Sequence, residues 1–182
     1  HELRQIENDQ AQLALDFLHE TQHILRLNSD ALDTLSVIFT NGHAPDFTEF
    51  EALSQDLLSR YTELKAVEWV PKVKPAQLEA FVTKMSEVYP GYELRHFSPV
   101  ASSAPVKPAN FHFPVSYTVP KSGNEEAIGY DLNSEPERAY ALFAAGKAGS
   151  PRLSKKITLL QTGTSGFLLF NPVYAGELHP VN

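Results

Sequence analysis

Residues 127–139 read Ala-Ile-Gly-Tyr-Asp-Leu-Asn-Ser-Glu-Pro-Glu-Arg-Ala. A short β-like run ends on Asp131, and a helix start follows almost at once. Ser134 stands as an N-cap with Glu137 three residues later, the capping-box pattern. Ala139, Leu142, Phe143 and Ala145 then continue at helical spacing until Gly146 or Gly149. Upstream, residues 92–97 and 111–119 are also β-like. They are separated by residues 98–110, whose three prolines and three serines read as a loop. Downstream, residues 152–161 and 166–174 read as a hairpin turning through Thr162-Gly163-Thr164-Ser165.

The N-terminal part is helical in texture. Apolar pairs Phe17/Leu18, Ile24/Leu25, Ala31/Leu32 and Ile38/Phe39 recur every seven positions over residues 3–40. Asn28, Ser29 and Asp30 interrupt the ridge, giving either one helix with a polar layer or two helices with a cap at Ser29. Residues 41–45, Asn-Gly-His-Ala-Pro, are stop signals. Asp46 or Thr48 then caps a helix to about Tyr61, with Phe47, Phe50, Leu53, Leu57 and Leu58 on one face. Residues 66–73 form a strand that Pro71 ends or confines to an edge. Pro75 opens a helix through about Val88, with Leu78, Phe81, Val82 and Met85 as its inner stripe. Helix, helix, strand, helix, several strands, helix, hairpin is not the alternation of a doubly wound sheet. It predicts an α+β fold with an antiparallel sheet.

The chain has 182 residues, which suits one compact globular domain or one domain plus an appended helix. Its net charge of −7 and the absence of any run of four Lys or Arg argue against nucleic-acid binding. Without cysteine it has no disulfide, thiolate nucleophile or iron–sulfur cluster. No stretch of 18 apolar residues is present, and a start at His1 reads as a fragment with neighbours on both sides.

Several motifs invite chemistry. His19-Glu20-Thr21-Gln22-His23 matches the zinc pattern His-Glu-x-x-His. At about 100° per residue, however, His19 and His23 lie roughly 150° and 190° from the apolar ridge, facing solvent. Gly146-Lys147 lacks the remainder of a P-loop. Asp131, Glu135 and Glu137 gather carboxylates, but the two glutamates sit in a first helical turn, where acids favour the dipole. Ser154, His112 and Asp131 make a triad only on paper, since no nucleophile elbow is present. What remains is a pocket argument. Phe111, Phe113, Val115 and Tyr117 alternate, as do Leu168, Phe170 and Pro172, and Asp131 closes a neighbouring run. Asp131 is then either a turn residue ahead of the helix or a buried acceptor for a ligand's N–H donors.

Taken in order, several segments resemble the CHASE domain, the extracellular sensor module of histidine kinases and of diguanylate and adenylyl cyclases, including plant cytokinin receptors. The carriers are the long opening helix, Val67-Glu68-Trp69-Val70-Pro71, Phe113-Pro114-Val115-Ser116-Tyr117 and Gly129-Tyr130-Asp131 leading into Glu137-Arg138-Ala139. Residues 148–154 and Phe170-Asn171-Pro172-Val173-Tyr174 complete them. The resemblance implies a stalk helix over residues 1–41 rising from a membrane span, and a PAS-like sensor domain over residues 42–182. It implies a ligand-binding, non-catalytic role without a cofactor, a periplasmic or extracellular location and flanking transmembrane helices. The seven-residue ridge of the N-terminal helix either supplies a homodimer surface or is buried against the sheet of its own chain. The resemblance also implies that Asp131 hydrogen-bonds an adenine-like ligand, that Ser154 lies near the ligand's tail, and that Phe113, Val115, Tyr117, Tyr130, Leu153, Leu160, Phe170 and Pro172 line the pocket. Two features depart from the family: Ser154 precedes Lys155-Lys156 rather than an apolar stretch, and the family continues beyond Tyr174 into a second PAS-like unit. Rival expectations are a protein-interaction module using the loop from Ser98 to Pro108, and a zinc-dependent hydrolase built on His19, Glu20 and His23.

Overall fold

The computed structural model describes residues 2–36, 39, 45–98 and 106–174, leaving out the side chains of residues 2–9, 17 and 24. The first helix, α1 (Glu2–Ser36), is continuous through Asn28. Asn28 is buried on the same side as Ala31 and Leu35, so the polar layer is part of one helix rather than a break. Toward its C-terminus the apolar ridge packs into the chain's own core. Farther up, Leu13, Leu18 and Leu27 are exposed. Phe39 is buried, with its ring stacked on Trp69 at a centroid separation of 4.1 Å. The stop signals at residues 41–44 lie outside the described residues.

Helix α2 (Phe47–Arg60) is capped by Asp46, whose carboxylate accepts the Glu49 N–H at 2.8 Å. Phe50, Ser54 and Leu57 are its buried face, and Leu53, one position away from that stripe, is exposed. Strand β1 (Val67–Trp69) pairs antiparallel with β2 (Tyr117–Val119), Trp69 opposite Tyr117. A 3₁₀ turn at Pro75–Gln77 leads into α3 (Leu78–Val88), which buries Met85.

Helix α4 (Pro136–Ala148) starts one residue later than the capping box suggests. Pro136 takes the first helical position, which its fixed φ and missing N–H suit, so the cap falls on Glu135. The Glu135 carboxylate accepts the N–H groups of Glu137 and Arg138. Gly149, in the left-handed region, ends the helix.

The C-terminal hairpin forms as two pairings, β4 (Ile157–Thr158) with β5 (Ser165–Gly166), and β3 (Arg152–Leu153) with β6 (Leu169–Phe170). Residues 154–156 on one arm oppose 167–168 on the other, a bulge of one extra residue. The remaining β-like runs make isolated bridges instead of ladders: Arg95 with Tyr130, Pro114 with Asp131 and Val73 with His112. Pro114 has no N–H to offer a ladder, and Gly129 bends the next segment with φ +78°. The result mixes helices with small antiparallel strand pairs, which is compatible with α+β.

Residues 112–119 are buried at every position, so the expected alternation is lost. The segment runs through the molecule. Phe113 and Val115 join Ala127, Tyr130 and Leu132 in one cluster, while Tyr117 and Val119 join Phe50, Leu57, Val67 and Met85 in another. Gly129 fixes its neighbours: its N–H donates to Val115 O and its carbonyl accepts from Arg95 N. A Cβ there would sit 2.1 Å from Glu93 O. Gly129→Ala should therefore cost about 1–3 kcal/mol or more in urea unfolding, and a loss below about 0.5 kcal/mol would show that this corner is not held as described.

Candidate functional site

Asp131 is 1% exposed, and its carboxylate is surrounded by donors. Oδ1 accepts the Phe113 N–H at 2.8 Å and the Asn133 N–H at 3.0 Å. Oδ2 lies 2.7 Å from His112 Nδ1, which must be the proton-bearing nitrogen to face a carboxylate. His96 Nε2 lies 3.1 Å from the same oxygen, off the line of a good hydrogen bond. The His96 ring is oriented from behind by the Lys107 N–H, 3.0 Å from Nδ1. That amide requires an unprotonated Nδ1, so the neutral ring carries its proton on Nε2, toward Asp131. Burial lowers the His96 pKa from its usual value, with the Asp131 charge opposing. Ser134, released from capping, donates to Asp131 O and accepts the Phe97 N–H.

By distance alone His96, His112 and Asp131 suit a metal ion, their ligand atoms lying within 4.8 Å of one another. A metal on His96 Nε2 would need the proton on Nδ1, where the Lys107 amide already donates. The arrangement is a hydrogen-bonded web, not a coordination shell. Beside it is a dent of about 190 Å³ bounded by His96, Lys107, Pro108 and Asn133, below the range of about 300–1,000 Å³ usual for small-molecule sites.

The larger space is elsewhere. A cleft of about 1730 Å³ runs between α1, β1, α4 and the C-terminal hairpin. Its apolar wall includes Leu25, Leu32, Trp69, Val70, Leu142 and Leu168. Of the residues expected to bind ligand, Phe113, Leu153, Phe170 and Pro172 line this cleft. Val115, Tyr117 and Tyr130 are buried core residues, and Leu160 packs half-buried on the Phe113 cluster. Asp131 lines the dent, which shares no residue with the cleft. The Ser154 hydroxyl is engaged within the hairpin: it donates to Lys155 O and accepts the Leu168 N–H at the bulge. The paper triad thus reduces to the His112–Asp131 pair. His19, Glu20 and His23 are exposed along α1. Glu135 pairs with Arg138 and Glu137 with Lys155, as expected of carboxylates in a first helical turn.

The sequence reading missed Glu68. Its side chain lines the cleft, and Gln161 Nε2 donates to its Oε1 at 3.3 Å. Burial pushes its pKa up to about 7, the nearby Arg138 guanidinium opposing. In the strand Glu68 sits between Val67 and Trp69, where alternation suggests a solvated outer face. Nothing in the Val67-Glu68-Trp69-Val70-Pro71 run itself shows that its carboxyl meets Gln161.

The family model for the CHASE domain matches residues 43–182, most of the chain, and the chain belongs to that family. CHASE domains are extracellular sensor domains of membrane signalling receptors and are not catalytic. A search of curated proteins returned no match. No helix among the described residues is long and apolar enough to cross a membrane.

Asp131→Ala would orphan the buried donors of Phe113, Asn133 and His112, each worth about 1–3 kcal/mol when left unpaired. Urea unfolding should show a loss of at least about 3 kcal/mol, and a smaller loss for Asp131→Asn, whose oxygen still serves the two amides. Equal and small losses in both variants would contradict the web.

Proposed function

We propose that this CHASE domain is the extracytoplasmic input module of a transmembrane receptor with a kinase or cyclase output, and that a small molecule occupies the cleft between α1, β1, α4 and the hairpin. The observation that carries this reading is the cleft itself: a mostly apolar, concave space with the half-buried Glu68 carboxyl at its wall. Its volume exceeds what one small ligand needs, so the ligand takes the inner end near Glu68 and Trp69. Phe113, Leu153, Phe170 and Pro172 serve there as wall residues, and Asp131 acts one layer behind, holding the Phe113 backbone.

Signal transfer follows from the same wall. Leu25, Asn28 and Leu32 of α1 line the cleft, and Asn171 of the hairpin donates to Asp33 of α1 at 2.9 Å. A ligand that draws the hairpin inward favours one position of α1 over another. The exposed Leu13, Leu18 and Leu27 supply a surface for a second copy, through which a helix displacement passes to a paired receptor chain.

A ligand at about 100 times its dissociation constant adds roughly 2.7 kcal/mol of stability, read as a melting shift of a few degrees. In a thermal-shift screen of small heterocycles, amides, amines and carboxylates, at least one hit is expected on the wild type and its loss in Leu153→Trp, which fills the cleft from an exposed position. No hit, or hits indifferent to that substitution, would contradict the reading. In sedimentation, the wild type should self-associate at high concentration and the Leu13→Asp/Leu27→Asp variant should not. A monomeric wild type would remove the dimer surface and leave the cleft.

A further inference from the structure

The cleft is mostly apolar with polar side chains set among its walls, and Glu68 projects into it from β1. Its Oε1 accepts from the Gln161 amide, which arrives from the opposite wall, 93 residues along the chain. Neither Glu68 Oε2 nor the Gln161 carbonyl makes a hydrogen bond among the described residues. A carboxyl and a carboxamide held side by side offer one acceptor and, when the carboxyl is protonated, one O–H donor. Trp69, next along β1, stacks on Phe39, and both rings line the same cleft.

We propose that Glu68 and Gln161 form the recognition point of the cleft, and that they take a neutral ligand with an apolar body and an amide-type edge, a hydrogen-bond acceptor next to an N–H donor. This rests on the ligand-binding reading above and names the class of ligand. The acceptor of such an edge meets Glu68 Oε2–H, and its N–H meets the Gln161 carbonyl. A carboxylate ligand has no N–H to give. An amine has no acceptor, and it would bring a cation into an apolar cleft whose remaining charged lining residues are mostly Lys65, Lys72 and Lys147, with Glu63 the one other acid.

The charges around Glu68 are few. From α4 the Arg138 guanidinium opposes the rise in the Glu68 pKa and Lys147 lines the wall; Glu63, Lys65 and Lys72 flank β1 in sequence. The cleft-lining residues of α1 and of the hairpin carry no charge. With its pKa near 7, Glu68 donates below that pH and loses the proton above it. Affinity for an amide-type ligand is then level at acidic pH and falls roughly tenfold per pH unit above about 7.

Trp69 is the chain's single tryptophan and lines the cleft, so its emission reports occupancy. Phenylacetamide, phenylacetate and phenethylamine share one body and differ at the edge. Each is titrated at pH 6 and pH 8.5 into the wild type, Glu68→Gln and Glu68→Leu. The expected result is that phenylacetamide binds best to the wild type at pH 6 and at least about tenfold more weakly at pH 8.5. Glu68→Gln, which keeps a donor and an acceptor without a titrating proton, should bind it equally at both pH values. Glu68→Leu should lose it while melting no lower than the wild type. Binding that ignores pH, the edge or the Leu substitution would overturn the Glu68 assignment and leave the cleft as a ligand site. Absence of a saturable Trp69 response to all three compounds would overturn both.

Discussion

A buried carboxylate has to be met by donors, and the way Asp131 is met arranges much of the domain. Its oxygens hold the Phe113 and Asn133 amides and the His112 ring, and they face His96. Those partners belong to three segments distant in sequence. The bridge at residues 95–96 is fixed on one side, the strand-like run at 112–114 on another, and the turn into α4 on a third. The main chain repeats the linkage: Asp131 N–H donates to Arg95 O, and Leu132 N–H donates to Phe113 O. Isolated bridges are weak sheet structure, and the side-chain web supplies the cross-links that a regular ladder would have given.

This commitment gives Asp131 a structural role. A carboxylate already holding three donors and facing a fourth has little capacity left for a ligand. The space beside it is small. The cleft, by contrast, has volume and apolar lining, and Glu68 is its half-satisfied polar group. Asp131 matters to the cleft through Phe113, whose amide it holds and whose ring lines the wall.

Much of the fold was legible where a local rule decides it. Asp46 caps α2 and Pro75 opens the turn into α3, because caps and prolines act over three or four residues. The hairpin was readable for the same reason, apart from its bulge. Ser134 was misread as a cap because the capping-box pattern ignores Pro136, which moves the helix start by one residue. The β-like runs around Asp131 make isolated bridges in place of the expected strands, since β propensity does not register that Pro114 and Gly129 break the ladder. Phe113, Leu153, Phe170 and Pro172, which line the cleft, were indicated by pattern or by family resemblance. Glu68 and Gln161 were not, because a pair 93 residues apart has no trace in spacing or period. The same holds for His96: nothing local to Arg95-His96-Phe97 shows that its ring meets Asp131 on one edge and the Lys107 amide on the other.

The protonation pattern of the two imidazoles tests the Asp131 web most directly. Long-range proton–nitrogen correlation spectra of the folded chain, recorded from neutral to mildly acidic pH, distinguish the ring nitrogens. The account predicts a slowly exchanging proton on His112 Nδ1 and an unprotonated Nδ1 on His96, which persists below the pH at which a free histidine charges, because burial lowers that ring's pKa. Both rings titrating together like free histidine, with freely exchanging protons, would show that Asp131 does not hold them.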